Sequence, residues 1–415
     1  MLSALYFFCV LAAYYIIRPV RDQLSAAVGS TQLPRFYAAT FVATLLLTPV
    51  FGWLATRYPR RIVVPAVYGF FIACLLGFVP LFARPALLGA HLLGIVFFVW
   101  LSVFNLFVVS VFWSFMTDIW NVAQARRLFP LIATGGTVGT IVGPALTGSL
   151  VEAIGVAPLL LVSAALLGIA AGIAAALGRW ARQQDSGRTA STQGLAVPGG
   201  MFDGLKQVLV HPFMRNMALL MLLGDAIGTI NYALVTDYSG ATFTDAISRT
   251  RFAAHLDLAT NLLQATLQLT LTCWLLIRHG PVPAIAGWAL VTLVMLLLVA
   301  VDPLGMPVAA VPMVALSLVV SRGLSYGMLG PARESLFTHV PRSLRYLGKN
   351  AVDTAVWRFG DFTTGLSINA LRALGAGTAM LAACGMVAAG ASGAIGWRLG
   401  RQVEREAALL NVAGR

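Results

Sequence analysis

Twelve long apolar runs follow one another along the chain, and they limit its possible folds more than any other feature. Each is about 20 residues long, which suits a helix crossing a hydrocarbon core about 30 Å thick at 1.5 Å per residue. Hydrophobic residues make up 59% of the sequence and charged residues only 10%, whereas soluble domains carry about 25% charged residues. The sequence therefore predicts an all-α membrane protein with helices at about 2–22, 36–56, 62–82, 88–116, 129–150, 156–178, 213–235, 252–277, 282–301, 307–330, 351–371 and 377–397.

Basic residues are distributed unevenly between the two ends of these helices. If the N-terminus lies inside, most of the 28 Lys and Arg residues fall at inner ends, in keeping with the basic enrichment of cytoplasmic loops. We expect a multi-pass protein of the bacterial-type inner (plasma) membrane with both termini in the cytoplasm. The net charge of +13 then belongs to loops that border anionic lipid, so membrane lipid is an expected partner and nucleic acid is not.

A polar stretch from Gly178 to Gly200 divides the chain after the sixth predicted helix. It is rich in Ser, Thr, Gln, Gly and Arg, a composition typical of a flexible linker. Residues Met201 to Leu209 then place apolar side chains on one helical face, which predicts either a helix on the inner membrane surface or an ordinary linker helix. The expected domains are an N-terminal six-helix half (1–178), a cytoplasmic linker (179–212), a C-terminal six-helix half (213–398) and a cytoplasmic tail (399–415).

Two six-helix halves joined by an inner loop resemble the plan of the major facilitator superfamily, whose two repeats rock around a midplane site. The segment GWLATRYPRR, Gly52 to Arg61, resembles a loop signature of that superfamily. It keeps a glycine for close helix approach and a basic cluster at the inner interface, while Thr56 replaces the acidic residue and Pro59 the second glycine. The resemblance implies twelve transmembrane helices in two six-helix repeats of major facilitator type.

A glycine-rich segment in the fifth predicted helix, GGTVGTIVGPALTG, resembles a motif of antiporters in that superfamily. Gly135, Gly139 and Gly143 fall on one helical face, and small residues in this pattern let two helices approach closely. Pro144 adds a bend point. Close helix packing is the plainer interpretation, and exchange of two solutes is the more specific one.

Three further segments resemble the bacterial relatives of the nucleotide (ATP/ADP) antiporter family. They are Tyr14 to Asp22 (YYIIRPVRD), Phe112 to Gly136 (FWSFMTDIWNVAQARRLFPLIATGG) and Pro331 to Asp361 (PARESLFTHVPRSLRYLGKNAVDTAVWRFGD). The resemblance implies exchange of nucleotides or related phosphorylated anions. The chain has only two lysines, Lys206 and Lys349, both expected outside the helices, so the intrahelical lysines of the ATP/ADP exchangers have no counterpart and the solute stays open.

Charged residues inside the predicted helices are the strongest candidates for function. An ionised group at membrane depth costs a few kcal/mol or more, so it should face the bundle interior and have a partner or a task. Counting along the helices puts Asp225 and Asp361 near the midplane, with Arg358 one turn nearer the cytoplasm. The proposed substrate-binding arginines are Arg18, Arg21, Arg322 and Arg358, and the proposed proton-binding or charge-pairing acids are Asp22, Asp225, Asp353 and Asp361.

The pairing of these groups separates the possible solutes. Arginines without carboxylate partners would suit an anion, because guanidinium binds phosphate or carboxylate in a bidentate manner. If each arginine has an aspartate, a cation or neutral solute coupled to protons is favoured. Arg18 and Arg21 could also extend to the outer headgroups, and Arg358 with Asp361 could be an internal ion pair of the bundle.

Other polar residues complete the expected solute path. The candidate lining residues are Tyr14, Tyr15, Asn105, Asn231, Tyr232 and Gln264. His255 and Asp257, near the start of the eighth helix, could form a proton relay or be solvated. Inner loops after the fourth and tenth helices could close a cytoplasmic gate through salt bridges, and the residues proposed for it are Asp118, Arg126, Arg127, Arg333, Glu334 and Arg345.

Motifs for catalysis do not occur in the sequence. There is no P-loop and no metal-ligand spacing, and the four cysteines fall in apolar runs. We therefore expect a transporter rather than an enzyme, without a cofactor, acting as a monomer. The leading hypothesis is a secondary transporter exchanging an anionic or phosphorylated solute. The alternatives are proton-coupled efflux of a drug or siderophore, and a membrane receptor or scaffold that does not transport.

Overall fold

The first half of the chain forms six helices. A computed structural model describes residues 1–58, 60–84, 88–120, 122–184, 210–303, 311–337, 352 and 356–413. A 3₁₀ turn, Ser30–Gln32, joins the first two helices. The six are α1 (Leu2–Val28), α2 (Leu33–Arg57), α3 (Arg60–Ala83), α4 (Ala90–Ile119), α5 (Val122–Ile154) and α6 (Val156–Gln184).

Six more helices follow residue 210, and two of them change winding partway. We treat α8 as one helix in three parts, which are an α-helical segment Ala246–Leu267, a π-helical turn Gln268–Thr272 and an α-helical segment Cys273–His279. In the same way α10 consists of an α-helical segment Met313–Leu324, a π-helical turn Ser325–Leu329 and an α-helical segment Gly330–Phe337. The remaining helices are α7 (Pro212–Thr242), α9 (Pro281–Val301), α11 (Trp357–Ala373) and α12 (Thr378–Ala413). The predicted twelve-helix architecture is thus confirmed in the described residues.

Ten of these helices are long and apolar enough to cross a bilayer, counted over the described residues. The chain is therefore a multi-pass membrane protein. The two helices outside the ten are α8, whose first segment carries Arg249, Arg251 and Asp257, and α11, whose described part has 17 residues. The helices least like plain membrane spans are those that carry many of the charged side chains.

Helix α1 lies at the centre of the first compact unit, which comprises α1–α6 together with Thr236–Asn261 from the end of α7 and the start of α8. It packs against α4, α5 and α6. Two hydroxyl groups tie it to its neighbours, because Thr147 donates to the Ile16 carbonyl at 2.9 Å and Ser163 to the Ala13 carbonyl at 2.7 Å. The predicted end of this helix near residue 22 is too early, since α1 continues to Val28.

The glycine face of α5 packs directly on α1. A Cβ added at Gly139 would lie 2.6 Å from the Phe8 carbonyl oxygen, and one at Gly143 would lie 2.7 Å from the Tyr15 Cβ. Real side chains are not found at such distances, so glycine is required at both positions. The close packing predicted for this motif is confirmed.

The second compact unit comprises the rest of α7 and α8 with α9–α12. Helices α9 and α12 pack along each other, and Trp288 of α9 is buried in the core of this unit. The π-helical turns of α8 and α10 meet, because Thr272 donates to the Gly327 carbonyl at 2.7 Å and Gln268 donates to the Tyr326 carbonyl at 3.2 Å. These bonds hold α8 and α10 together at the point where both change winding.

The predicted surface helix at 201–209 and most of the predicted linker lie outside the described residues.

Candidate functional site

The first charged cluster is built on α1 and α8 in the first unit. Arg18 lies 3.5 Å from the carboxylate of Asp257, and the exposed fractions of the two side chains are 8% and 3%. The guanidinium also lies over the Tyr15 ring, 5.3 Å from its centroid. Arg18 therefore does not extend to the headgroups, and it does not lack a carboxylate partner.

From the sequence, Asp257 could form a proton relay with His255 or be solvated. Pairing with Arg18 could not be deduced from the sequence, because the two residues are far apart in the chain. One sign of its importance was visible in the sequence, because an acidic residue within a membrane helix requires a partner. His255 lies beside Gly148 of α5, since a Cβ added there would approach its ring to 3.3 Å.

Two buried polar residues follow Asp257 on the same face of α8. The Asn261 amide donates to the Thr140 carbonyl of α5 at 2.6 Å. Thr260 and Asn261 are 1% and 2% exposed. Helices α1 and α8 thus contribute the side chains of one polar cluster, and α5 contributes the Thr140 carbonyl. We call it the Arg18 cluster and define it as Tyr15, Arg18, Asp257, Thr260 and Asn261, of which all but Tyr15 are buried.

Arg21 and Asp22 pair with each other at the next turn of α1. Nε and Nη2 of Arg21 donate to Oδ1 of Asp22 at 2.8 and 2.6 Å. The guanidinium lies over the Phe98 ring of α4 at 4.8 Å. This pairing and stacking explain why α1 continues past these residues instead of ending at them.

The second charged cluster lies in the second unit, on α7 and α11. Arg358 lies 3.5 Å from Asp361, with exposed fractions of 33% and 15%. Thr229 of α7 donates to Asp361 at 3.4 Å. Asp225 lies beside Asp361, with the Trp357 indole as a neighbouring donor. We define these five residues as the Asp225 cluster.

Gly360 lets α11 approach Asp225 of α7 closely. A Cβ added at Gly360 would lie 2.8 Å from Oδ2 of Asp225. That oxygen is buried and has no hydrogen-bond partner among the described residues. The cluster therefore contains two carboxyl groups and one guanidinium, and Arg358 is the only basic group of the described chain that is paired with either acid.

A third polar group in the second unit connects α7 and α10. Ser317 donates to Oδ1 of Asn231 at 2.7 Å, and the amide of Asn231 donates to the Ile227 carbonyl at 3.0 Å. The guanidinium of Arg322 lies 5.8 Å from the centroid of the Tyr232 ring.

The remaining predicted lining residues occupy varied settings. Tyr14 is half-buried and stacks on Phe104, with ring centroids 6.4 Å apart. Asn105 and Gln264 are also half-buried.

The proposed gate residues are described only in part. Asp118 and Arg127 are exposed at the facing ends of α4 and α5. Arg333 and Glu334 are adjacent on α10 and pair with each other at 3.2 Å. Arg126 belongs to α5, and its side chain is not described, while Arg345 and Asp353 lie outside the described residues. Salt bridges between the halves remain a prediction.

Metal-binding and disulfide chemistry find no support in the described residues. They hold no group of three or more His, Cys, Asp or Glu side chains that could bind a metal ion. Cys9, Cys74, Cys273 and Cys384 are free thiols.

The helices and the buried charged clusters within them define a multi-pass membrane protein with a fold of major facilitator type. Solved structures share this fold at low sequence identity. The nucleoside transporter NupG aligns with a TM-score of 0.65 and 14% identity over 96% of both chains. A bacterial homologue of the iron transporter ferroportin aligns with a TM-score of 0.63 and 16% identity, over 96% of this chain and 97% of that one.

The xylose transporter XylE from E. coli is also similar, with a TM-score of 0.61 and 12% identity over 94% of both chains. No protein-family model matches the sequence, and no curated protein matches it. The similarity therefore supports the fold, and the nucleotide antiporter resemblance remains an expectation from the motifs.

Proposed function

We propose that the chain is a secondary active transporter that works by alternating access and couples the movement of a small neutral or cationic solute to proton binding. The fold supports transport as the general activity, because the similar structures named above are those of transporters or their homologues. Their names refer to nucleosides, iron and xylose. The likeness therefore favours no particular solute.

Charge pairing favours a neutral or cationic solute over an anion. An anion site needs guanidinium donors that are open to phosphate or carboxylate. Arg18, Arg21 and Arg358 instead lie 3.5, 2.6 and 3.5 Å from aspartate oxygens. A phosphate at any of these positions would compete with a carboxylate that is already paired with the arginine.

The observation that carries proton coupling is the composition of the Asp225 cluster. With Asp225 and Asp361 ionised and Arg358 cationic, the cluster would have a net charge of −1, and an unbalanced charge at membrane depth costs a few kcal/mol or more. Arginine stays protonated in proteins, so Arg358 cannot change the net charge of the cluster. One proton on the acid pair makes the cluster neutral.

Among the described residues, Arg333 is a further charged group near this cluster, and it already has an acidic partner. On α10, Arg333 contacts the sulfur of Met221, one turn before Asp225 on α7, but its guanidinium pairs with Glu334. Thr229 and Trp357 contribute hydroxyl and indole donors without formal charge. The proton is therefore the simplest group that balances the two acids.

The proposed cycle follows from this balance. The protonated, neutral cluster can move through the low-dielectric state in which the site is closed to both sides. Release of the proton leaves a net charge that is stable only where water reaches the acids. Solute and proton movement are coupled if deprotonation occurs only when the site is open.

Proteoliposomes that contain a trapped pH-sensitive dye test this function. A panel of a nucleoside, a pentose and an organic cation is added in turn, and proton flux is recorded. We expect at least one of these solutes to cause a proton flux that Asp225→Asn abolishes. Flux of nucleotides without any proton movement would overturn the proposal.

Anion exchange is the second candidate function. It is favoured by the three segments that resemble the nucleotide antiporters and by Arg322, which lies over Tyr232 and beside the Asn231–Ser317 pair. An aromatic ring next to a guanidinium could hold a base and a phosphate. If this candidate is correct, vesicles preloaded with ATP take up labelled ADP. Arg322→Ala then abolishes this uptake, and Arg84→Ala, at an exposed loop position, does not.

A further inference from the structure

Three arginines at one end of the second unit have no acidic partner among the described residues. They are Arg278 in the last turn of α8, and Arg398 and Arg401 on α12. All three side chains are exposed. Arg18 and Arg358, in contrast, each lie 3.5 Å from an aspartate. The three exposed cations take no part in the proposed transport function.

Close packing of α12 on α9 places these cations at the same end of the unit. A Cβ added at Gly396 would lie 2.5 Å from Cγ2 of Ile285. One added at Gly400 would overlap with Cγ2 of Val282. The two helices are therefore antiparallel, and the turn of α12 that contains Arg401 lies beside the start of α9. Helix α8 ends three residues before Val282, which is at most about 11 Å along the chain.

Each of the two basic segments has a tryptophan beside a basic side chain. The Trp274 and His279 rings of α8 have centroids 5.1 Å apart, and the Arg401 guanidinium lies 5.1 Å from the centroid of the Trp397 ring. The two tryptophans are 49% and 56% exposed, and Ile277 is 86% exposed. Tryptophan is enriched at the level of the lipid headgroups. Basic groups and an exposed apolar surface thus meet at this end of the helices.

We call this surface the Arg401 patch and define it as Trp274, Arg278, His279, Trp397, Arg398 and Arg401. Within it, Arg398 and Arg401 are three residues apart and so are neighbours on α12. Like charges at such spacing destabilise a helix. An anion bound between these two guanidinium groups would remove the repulsion.

The chemistry of the patch selects the kind of anion. Guanidinium groups bind phosphate oxygens in a bidentate manner. A free phosphate ion would gain only this charged contact, which salt weakens at an exposed site. A phosphate that carries acyl chains would also cover the apolar surface around Ile277 and Trp397. Basic groups between the ends of membrane helices suit anionic headgroups in this way.

We propose that the Arg401 patch binds the headgroup of an anionic phospholipid, whose acyl chains lie along the exposed apolar faces of α8 and α12. The site lies apart from both charged clusters and does not depend on the proposed function. With the termini in the cytoplasm, as the sequence predicts, the lipid comes from the inner leaflet. A headgroup held by α8 and α12 together joins the two helices and stabilises the folded unit.

Thermal unfolding of the purified full-length protein in detergent tests the site. The probes are dioleoylphosphatidylglycerol, dioleoylphosphatidylcholine and inorganic phosphate, each at the same phosphate concentration and at low salt. A compound that binds the folded state raises the midpoint temperature. We expect the anionic lipid to raise it several degrees more than the zwitterionic lipid, and less so at high salt. Inorganic phosphate should leave it unchanged.

Two double variants with the same loss of charge identify the residues. Arg398→Gln/Arg401→Gln removes two cations of the patch and keeps Trp397. Arg57→Gln/Arg179→Gln is the matched control, because both residues are exposed at helix ends of the first unit and have no acidic partner in the described chain. We expect the patch variant to lose at least half of the extra stabilisation by the anionic lipid, and the control to keep it.

A single variant on the other helix completes the test. Arg278→Gln should also reduce the extra stabilisation, because the proposed site is shared between α8 and α12. It gives the same comparison with the control if Arg398→Gln/Arg401→Gln cannot be purified in folded form.

Three results would overturn the site. The first is equal stabilisation by the two lipids, and the second is equal stabilisation by inorganic phosphate and the anionic lipid. The third is an equal loss in the patch variants and in the control, which would mean that the lipid responds to net charge and not to this surface.

Discussion

The Arg18 cluster and the Asp225 cluster use the same charged residue types, but they differ in charge balance and in burial. Arg18 and Asp257 form a one-to-one pair with side chains 8% and 3% exposed. In the other cluster two acids share Arg358, and the Arg358 and Asp361 side chains are 33% and 15% exposed. A balanced and enclosed pair can serve as a fixed framework, whereas an unbalanced and partly open one is suited to bind and release a proton. The predictions below test this contrast.

The largest effect is expected from breaking the balanced pair. Arg18→Ala leaves the Asp257 carboxylate buried without its guanidinium, and loss of one partner of a buried ion pair costs about 3–5 kcal/mol. Thermal unfolding in detergent should show a much lower midpoint for this variant. The double variant Arg18→Ala/Asp257→Ala should recover most of the loss, and equal midpoints for the single and double variants would contradict the balanced-pair interpretation.

A functional rather than structural loss is expected in the unbalanced cluster. Asp225→Asn removes the proton site but leaves Arg358 paired with Asp361, so the protein should fold normally. We expect pH-gradient-driven uptake to fall at least tenfold while exchange of labelled for unlabelled solute continues.

Asp245→Asn is the matched control for that loss. Hydrogen bonds from Ser248 hold the pKa of the exposed Asp245 carboxyl below its usual value, and this residue lies in the turn between α7 and α8. It is therefore ionised at neutral pH and should have no part in coupling. Equal losses in the two variants would mean that the Asp225 cluster has no special role.

A smaller change is expected from altering the geometry of the acid pair without removing it. Gly360→Ala would place a Cβ 2.8 Å from Oδ2 of Asp225, whereas nothing lies within 4 Å of a Cβ added at Gly228 of α7. We expect proton-driven uptake to fall several-fold in Gly360→Ala. Gly228→Ala should transport normally, because alanine is favoured over glycine in helices. Normal coupling in Gly360→Ala would show that the contact between α7 and α11 is not needed.

The smallest effect is expected at an exposed ion pair of the first unit. Arg251 pairs with Glu152, and their side chains are 47% and 58% exposed. Exposed pairs contribute about 0–1 kcal/mol and are screened by salt. Arg251→Ala should therefore shift the unfolding midpoint little, and less so at high salt. If the midpoint falls as much as in Arg18→Ala, burial does not explain the different contributions of the two ion pairs to stability.

The sequence predicts the helices well because a membrane helix is a local property of composition. Apolar runs placed all twelve helices, although α8 and the described part of α11 are not among the ten that are long and apolar enough to cross a bilayer. The glycine spacing of α5 predicted its close packing. The end of α1 was misjudged at residue 22, since the mutual pairing of Arg21 and Asp22 lets a charged turn continue as helix. The π-helical turns of α8 and α10 were not predicted, because they depend on bonds between the two helices.

Only part of the candidate site can be predicted from the sequence. Asp225, Arg358 and Asp361 were identified because charged residues at membrane depth are rare. Arg358 and Asp361 are three residues apart on α11, so their spacing alone predicted that they could pair. The pairing of Arg18 with Asp257, and the approach of Asp225 to Asp361, join distant parts of the chain. Such contacts depend on tertiary packing, so charge counting left anion and proton-coupled transport equally open.

The central claim is that the Asp225 cluster holds a proton and the Arg18 cluster does not. Infrared difference spectroscopy of the folded protein at neutral pH tests it directly, because a protonated carboxylic acid has a C=O stretch that an ionised carboxylate lacks. We predict a carboxylic acid band that Asp225→Asn removes and Asp257→Asn leaves in place. A spectrum without this band, or a band lost in Asp257→Asn and kept in Asp225→Asn, would contradict the account.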